Sequence, residues 1–357
     1  MTSPIFTQPK RLLAADSLMH EVASDIDMTL INPINADVVK SEFSGDEPVF
    51  LYNKPPNYIV IRKELKKLRL TKSPAGQLLA KKKDYLLTKT SLIRAIGTKK
   101  FTTYSKRLYP LPKKKSLREA EEILELPDER RPEKLDIRDA VAELKQCIDD
   151  LGIPWSVERV SMVASACVVP SKRKLYLKDK KEFSKQFIDR LKIHEIGTHA
   201  VRAENGRIQP YKMFLHGTAG YLSTEEGLAA YNEEQAGLLT RTILKTYAAR
   251  VIGVSLAQKK GFCEVVEEMK KYFSQKKSLT LALRVKRGVG HGADKGGYTK
   301  DSAYLQGYLA LKEFERKEGD FSMLYQGKVG LDDLGLVSRI KGMKKAKYHP
   351  SMIRLSE

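Results

Sequence analysis

Lys192-Ile193-His194-Glu195-Ile196-Gly197-Thr198-His199 places two of the chain's six histidines close together and sets a glutamate beside the first. Two imidazoles and a carboxylate on one helix suit a divalent ion such as Zn2+, with the glutamate free to act on a bound water. The spacing is HExxxH, one residue longer than the familiar HExxH. On an α-helix, at about 100° per residue, side chains five apart diverge by roughly 140°, against roughly 40° for side chains four apart. One ion can be shared only if the helix distorts. A π-bulge absorbs one extra residue, and Gly197 is the residue most able to permit it, so a bulge is expected between His194 and His199.

The flanks support a helix. Asp179 and Glu182 are spaced as a capping pair, Phe183, Phe187 and Leu191 form an apolar stripe, and Glu204-Asn205-Gly206 reads as a helix stop. A catalytic zinc needs a third protein ligand. Ser223-Thr224-Glu225-Glu226-Gly227-Leu228-Ala229 offers two carboxylates at the start of a second helical pattern. Ser223 and Glu226 are also spaced as a capping box, which would give Glu226 a structural task, so both glutamates stay in play.

With 357 residues the chain can hold a large core or two domains, and its 41% hydrophobic and 31% charged content is ordinary for a soluble protein. No apolar run is long enough to span a membrane, and Met1 to Lys10 lacks the apolar core of a secretory signal. Cys147, Cys167 and Cys263 are odd in number and far apart, which fits reduced thiols and a cytoplasmic setting. The formal net charge of +21 favours polyanions: nucleic acid, an anionic membrane surface or acidic polypeptide tails. Lys81-Lys82-Lys83, Lys99-Lys100, Lys106-Arg107, Lys113-Lys114-Lys115 and Lys344-Lys345 carry much of it. At any one cluster a solvated surface explains the lysines equally well.

Taken in order, residues 1–130 read as a helical, basic region that covers or extends the catalytic part. Tyr58 to Ile96 divides into two helices at Ser73-Pro74-Ala75-Gly76, and 109–131, rich in proline, lysine and then glutamate, suggests a linker. Residues 131–340 form the expected catalytic domain. A helix at Leu135 to Leu151 ends at Gly152, and three short β-rich runs, Trp155 to Val160, Ala164 to Val169 and Lys174 to Leu177, suggest a small antiparallel sheet beside the HExxxH helix. The expected fold is therefore α+β, helix-rich and zincin-like. Gly288 to Gly297, with His291, fits no nucleotide-binding pattern and reads as a flexible loop at the cleft mouth. Residues 341–357 read as a basic, loosely ordered tail.

Five motifs in order carry a family resemblance: HEIGTH (His194 to His199), NGRIQP (Asn205 to Pro210), AGYLSTEEGLA (Ala219 to Ala229), RVKRG (Arg284 to Gly288) and YTKDSAYLQG (Tyr298 to Gly307). Together they resemble the MATCAP-like family, which includes tubulin tyrosine carboxypeptidases and bacterial QEGLA-motif proteins labelled as flavohemoglobin expression modulators. The resemblance spans most of residues 150–340. It implies zinc binding by His194 and His199, a catalytic role for Glu195, and Glu226 as third ligand, with Glu225 standing where the family's glutamine is.

The implied activity is a one-zinc metallocarboxypeptidase in which Glu195 takes a proton from the zinc-bound water and returns it to the leaving amine. Tyr298, Tyr304, His216 and Arg287 are candidate donors to the oxyanion. Arg207, Arg284 and Arg287 are candidates for the substrate's terminal carboxylate, with Arg202 and Lys286 in reserve. The expected partner is a peptide or protein C-terminus, and a tyrosine-ended acidic tail would suit the positive charge. A reading from another class, a nucleic-acid-binding or regulatory protein with an inactive metal site, is separated by zinc content and peptidase assays on the wild type and Glu195→Gln.

Overall fold

The structure, a computed structural model, describes residues 10–127, 129, 137–162, 164–179 and 181–355. Residues 1–9 of the N-terminal region, 128, 130 and 131 at the end of the expected linker, and 135–136 at the start of the helix expected after it lie outside the described residues.

The helix that carries the histidines is the centre of the packing. It begins as α5 (Lys185–Leu191), continues as a π-helical segment (Lys192–Ala200) and ends as α6 (Val201–Arg207). Its cap is Ser184, whose Oγ accepts from the Phe187 N–H, and not the Asp179/Glu182 pair. Phe183 falls outside the helix because its backbone pairs with Arg138 in a two-residue ladder, although its ring still stacks on Phe187. The helix stops at Arg207, one residue past the expected Glu204-Asn205-Gly206, but Gly206 is helical and does not cap it. The backbone of Phe214 occupies the space a Cβ on Gly206 would need, so this glycine serves close packing.

Helix α4 (Ala140–Leu151) is capped by Asp139 and closed by Gly152 at φ 64°. It leads into β1 (Ser156–Val160), β2 (Ala166–Val169) and β3 (Lys174–Lys178). The sheet is mixed, in the order β1-β3-β2: β2 and β3 pair antiparallel, but β1 pairs parallel to β3. The antiparallel expectation therefore holds for one of the two pairings. The short link after β1 carries the chain past the place of the middle strand, which β3 then fills. Leu175 and Leu177 on β3 and Trp155 just before β1 pack with Ile188, Leu191 and Ile196 of the central helix. Glu204 fixes the join, accepting from Trp155 Nε1 and from both forks of Arg173 at 3.0 Å.

The N-terminal helices α1 (Lys10–Asp25), α2 (Pro74–Arg94) and α3 (Lys100–Leu108) share an apolar cluster with Tyr211, Phe214, Tyr298 and Val329. Ser73 caps α2 through the Gly76 N–H. Lys82 belongs to this interior rather than to a surface patch: it is buried and donates to the carbonyl of Gly217 at 2.5 Å. On the other side, α7 (Leu222–Gln235) packs on the central helix, and α8 (Arg241–Ala257), α9 (Gln275–Lys286) and α10 (Ala303–Arg316) build a further cluster that takes in Phe50, Ala120 and Leu124.

Two expected mobile segments are held in place. The glycine-rich run is pinned at Pro48 to Tyr52: Phe50 N donates to Gly290 O, Gly292 N to Pro48 O, and Tyr52 Oη to Val289 O. His291 is exposed there and accepts from Ala293 N. The C-terminal segment is anchored by Asn205, whose side chain bonds the backbone of Lys347 and Tyr348, and Ile353 rests against Gly197. Among the described residues no helix is long and apolar enough to cross a membrane.

Candidate metal centre

The π-helical segment brings the two imidazoles to one side of the helix. The N–H of Val201 bonds Ile196 O, five residues back, and the rings of His194 and His199 lie with centroids 4.9 Å apart. The distortion extends over the whole of Lys192–Ala200 rather than a single turn.

Glu226 meets them from α7. Its Oε2 lies 3.8 Å from Nε2 of His194 and 3.8 Å from Nε2 of His199, and ligand atoms of the three residues all fall within 4.8 Å of one another. The separation suits bonds of about 2.0–2.2 Å to a shared tetrahedral ion, and two imidazoles with one carboxylate are a donor set zinc takes. The capping box does not form. Helix α7 starts at Leu222 without a side-chain cap, and the Ser223 hydroxyl turns to Ala303 O. Burial works against the charge of Glu226, yet His194, His199 and Lys300 close by hold its carboxyl down to about 2.

The outer nitrogens of both rings are also occupied. Nδ1 of His194 is 2.5 Å from Glu233 Oε1, and Nδ1 of His199 is 2.9 Å from Glu225 Oε1. Carboxylates behind Nδ1 hold a proton there, so that with an ion bound each Nε2 would offer it a lone pair on the side that faces Glu226. Glu233 is in turn held by Arg190 Nε at 2.9 Å, and Arg190 also donates to Tyr247 Oη. Glu225 is gripped by Lys328 Nζ at 2.6 Å and by Arg202, which also donates to the carbonyls of Leu324 and Val329. Glu225 thus orients His199 in this geometry, while Glu226 faces both Nε2 atoms. Glu195 is partly exposed and makes no hydrogen bond among the described residues. Its charge, together with that of Glu226, is felt by the Cys167 thiol on β2.

The remaining candidates are scattered. Tyr304 stacks on Tyr247 with centroids 5.2 Å apart, and burial followed by the charge of Glu226 pushes its hydroxyl pKa up. Arg284 forks onto Asp301 at 2.6 and 3.0 Å, and Arg287 joins the same carboxylate while donating to Asn32. Arg207 is engaged by Glu204 and Pro170 O. Tyr298 is buried against Tyr109, Lys286 donates to the carbonyls of Lys260 and Asp294, and His216 pairs with His20. Glu233, Arg190 and Lys328 escaped sequence reasoning. A signal existed for Glu233, which follows Glu226 by seven residues and so returns to the same helical face.

A cavity of about 1000 Å3 opens between α2, the end of α3 and the starts of α7 and α10, lined by Tyr85, Tyr109, Ser223 and Gln306 among others. Neither histidine nor Glu226 lines it, so it is distinct from the centre described above.

Comparison with known proteins agrees with the motif pattern. The family model described as "Microtubule-associated tyrosine carboxypeptidase" (MATCAP) matches residues 45–356. Mouse "Putative tyrosine carboxypeptidase MATCAP2" is 32% identical over 157 residues, 42% of this chain and 28% of that protein. Mouse "Microtubule-associated tyrosine carboxypeptidase 1" is 30% identical over 154 residues, 40% of this chain and 31% of that protein. The aligned part is therefore less than a third of either relative's length. A crystal structure of a lipoprotein from Colwellia psychrerythraea aligns over 83% of this chain and 65% of that one, at a TM-score of 0.44 and 10% identity, too distant to bear on the site. With a family model matched along most of its length, the chain belongs to the MATCAP family.

Proposed function

We propose that the chain is a Zn2+-dependent peptidase that hydrolyses the last peptide bond of a peptide or protein. The observation that carries this reading is the convergence of His194 Nε2, His199 Nε2 and Glu226 Oε2, with the unbonded Glu195 next to His194.

An ion held there would lower the pKa of a water and polarise the scissile carbonyl. Glu195, adjacent in sequence and partly open to solvent, takes the proton from the attacking water and delivers it to the departing amine nitrogen. Tyr304, beside Glu226, is placed to donate to the carbonyl oxygen as negative charge develops. Strand β2 is an edge of the sheet and packs near the π-helical segment, so an extended substrate can pair with its free side. The family name and the net charge of +21 favour a C-terminal tyrosine on an acidic tail as substrate class.

The test is direct. The purified protein should hold one Zn2+ per chain and release free tyrosine from a glutamate-rich peptide ending in tyrosine. Glu195→Gln should keep the ion and lose the release. Zinc retained without release of any C-terminal residue from that peptide or a shuffled set would sink the proposal. Cleavage of peptides with amidated ends would convert it to an endopeptidase.

A further inference from the structure

Arg250, on α8, has two guanidinium nitrogens, Nε and Nη1, that are enclosed and without any hydrogen-bond partner. Its neighbours of like charge do not share this state, since Arg284 and Arg287 both donate to Asp301. The Arg250 head lies over the ring of Tyr304 at 4.4 Å and is 5.5 Å from the ring of Tyr247. Native proteins rarely leave a desolvated charged donor unmet, because water has been given up and nothing has replaced it. Such a group is an anion receptor already stripped of solvent.

Its place in the fold points the receptor at the metal centre. Ala303, next to Tyr304, accepts from Ser223 of α7, and one turn further Gly307 touches the backbone of Ser223 and Gly227. Tyr304 therefore stands beside Glu226, with Arg250 on its ring. Three guanidinium groups gather here around one carboxylate, Asp301, so the corner retains excess positive charge. The flat ring of Tyr304 lets the guanidinium slide toward an incoming acceptor while keeping its cation–π contact.

We propose that Arg250, supported by Tyr304, receives the free C-terminal carboxylate of the substrate and so makes the site select chain ends. The inference rests on the peptidase reading above, and adds the group that would distinguish a terminal residue from an internal one. Arg202, Arg207, Arg284 and Arg287 are already satisfied by this chain's own oxygens, which leaves Arg250 as the guanidinium with donors to offer.

The experiment measures binding rather than turnover. A dye-labelled glutamate-rich peptide ending in tyrosine, and the same peptide as its C-terminal amide, are titrated by anisotropy against zinc-loaded Glu195→Gln protein. The acid should bind at least about tenfold tighter than the amide. Adding Arg250→Gln should bring the two within about twofold and Arg250→Lys should restore part of the difference; Arg250→Lys, which keeps a cation over Tyr304 and loses no hydrogen bond, should leave the melting midpoint unchanged. A preference for the acid that survives Arg250→Gln overturns the inference and leaves the peptidase reading intact. A melting midpoint lowered in both Arg250 variants marks the residue as structural and also overturns it. If Glu195→Gln holds zinc but binds neither peptide, the peptidase reading fails and the inference falls with it.

Discussion

Glu225 Oε1 lies 2.9 Å from Nδ1 of His199, on the opposite side of the imidazole from the nitrogen that faces Glu226. Two adjacent carboxylates thus have opposite tasks, one behind the ring and one in front. Carboxylates behind a ligating histidine fix its orientation and raise its basicity, and removing one lowers metal affinity about 10–100-fold. Glu225→Ala should show that loss in chelator competition. Glu225→Gln keeps an acceptor for the ring and should hold most of the affinity. It should still destabilise the fold by about 3 kcal/mol, because buried Arg202 and Lys328 lose their counter-charge. Unchanged zinc affinity in Glu225→Ala would show that the contact orients nothing.

Helix α7 can deliver Glu226 only because α10 crosses it at glycines. A Cβ on Gly307 would enter the carbonyl of Ser223, and one on Gly227 would enter the backbone of Gly307. Gly307→Ala should push the helices apart, costing about 3 kcal/mol and most of the zinc affinity together. Gly335→Ala, where nothing lies within 4 Å of the new methyl, serves as the control and should change neither. Thermal melts with zinc analysis decide the matter. A Gly307→Ala protein that melts early but binds zinc normally would separate the crossing from the site.

The parts of the site that were legible in the sequence are those written in local spacing. A spacing of five positions from His194 to His199 demanded a distorted helix, and the segment is π-helical. The choice between Glu225 and Glu226 was not local: it depends on Arg202, Lys328 and Ala303, which reach α7 from elsewhere in the chain. The parallel pairing of β1 with β3 was hidden for the same reason, since alternation within a strand says nothing about its neighbour's direction. Lysine-rich runs misled in a different way. Lys82, in Lys81-Lys82-Lys83, looks like solvent-facing charge, yet it is a buried donor to the Gly217 carbonyl, and Lys286, held in reserve for a substrate carboxylate, is likewise spent on backbone carbonyls.

Acid should destabilise the fold through two buried groups that are not themselves metal ligands. Burial, with Lys82 and His20 close by, lowers the pKa of His216 from 6.5 to about 3. The unfolded chain then takes a proton near pH 6.5 that the folded protein refuses, so stability falls as pH drops through that value. Burial opposes the charge of Asp301, but Arg284 and Arg287 outweigh it and hold its pKa well below 3.8. That stabilisation is present above pH 3.8 and is lost as pH falls below it. Melts from pH 7.5 to 3.5 should show a first decline below about pH 6.5, on the order of 3 kcal/mol by pH 4, and a second near pH 4. His216→Gln should remove the first decline and leave the second. A flat profile between pH 6.5 and 4.5 in the parent protein would contradict the assignment of His216.

Gly197 separates two explanations of the distorted helix. If the π-helical segment needed glycine's conformational freedom, alanine there would restore ordinary helix and lose the ion. The glycine has no positive φ, and the atom a Cβ would meet at 2.7 Å is the tip of the Ile353 side chain, with Pro350 further off at 3.4 Å. A flexible side-chain end can move aside at small cost, whereas alanine gains up to about 1 kcal/mol of helix propensity over glycine. Gly197→Ala should therefore keep its zinc and melt within a few degrees of the parent, and the double variant Gly197→Ala/Ile353→Ala should melt no earlier than Ile353→Ala alone. Loss of zinc in Gly197→Ala would return the cause of the distortion to the backbone of that one residue. Retention places it in the buried ring of contacts around His194 and His199, where Glu233, Glu225 and Glu226 hold both imidazoles to one side.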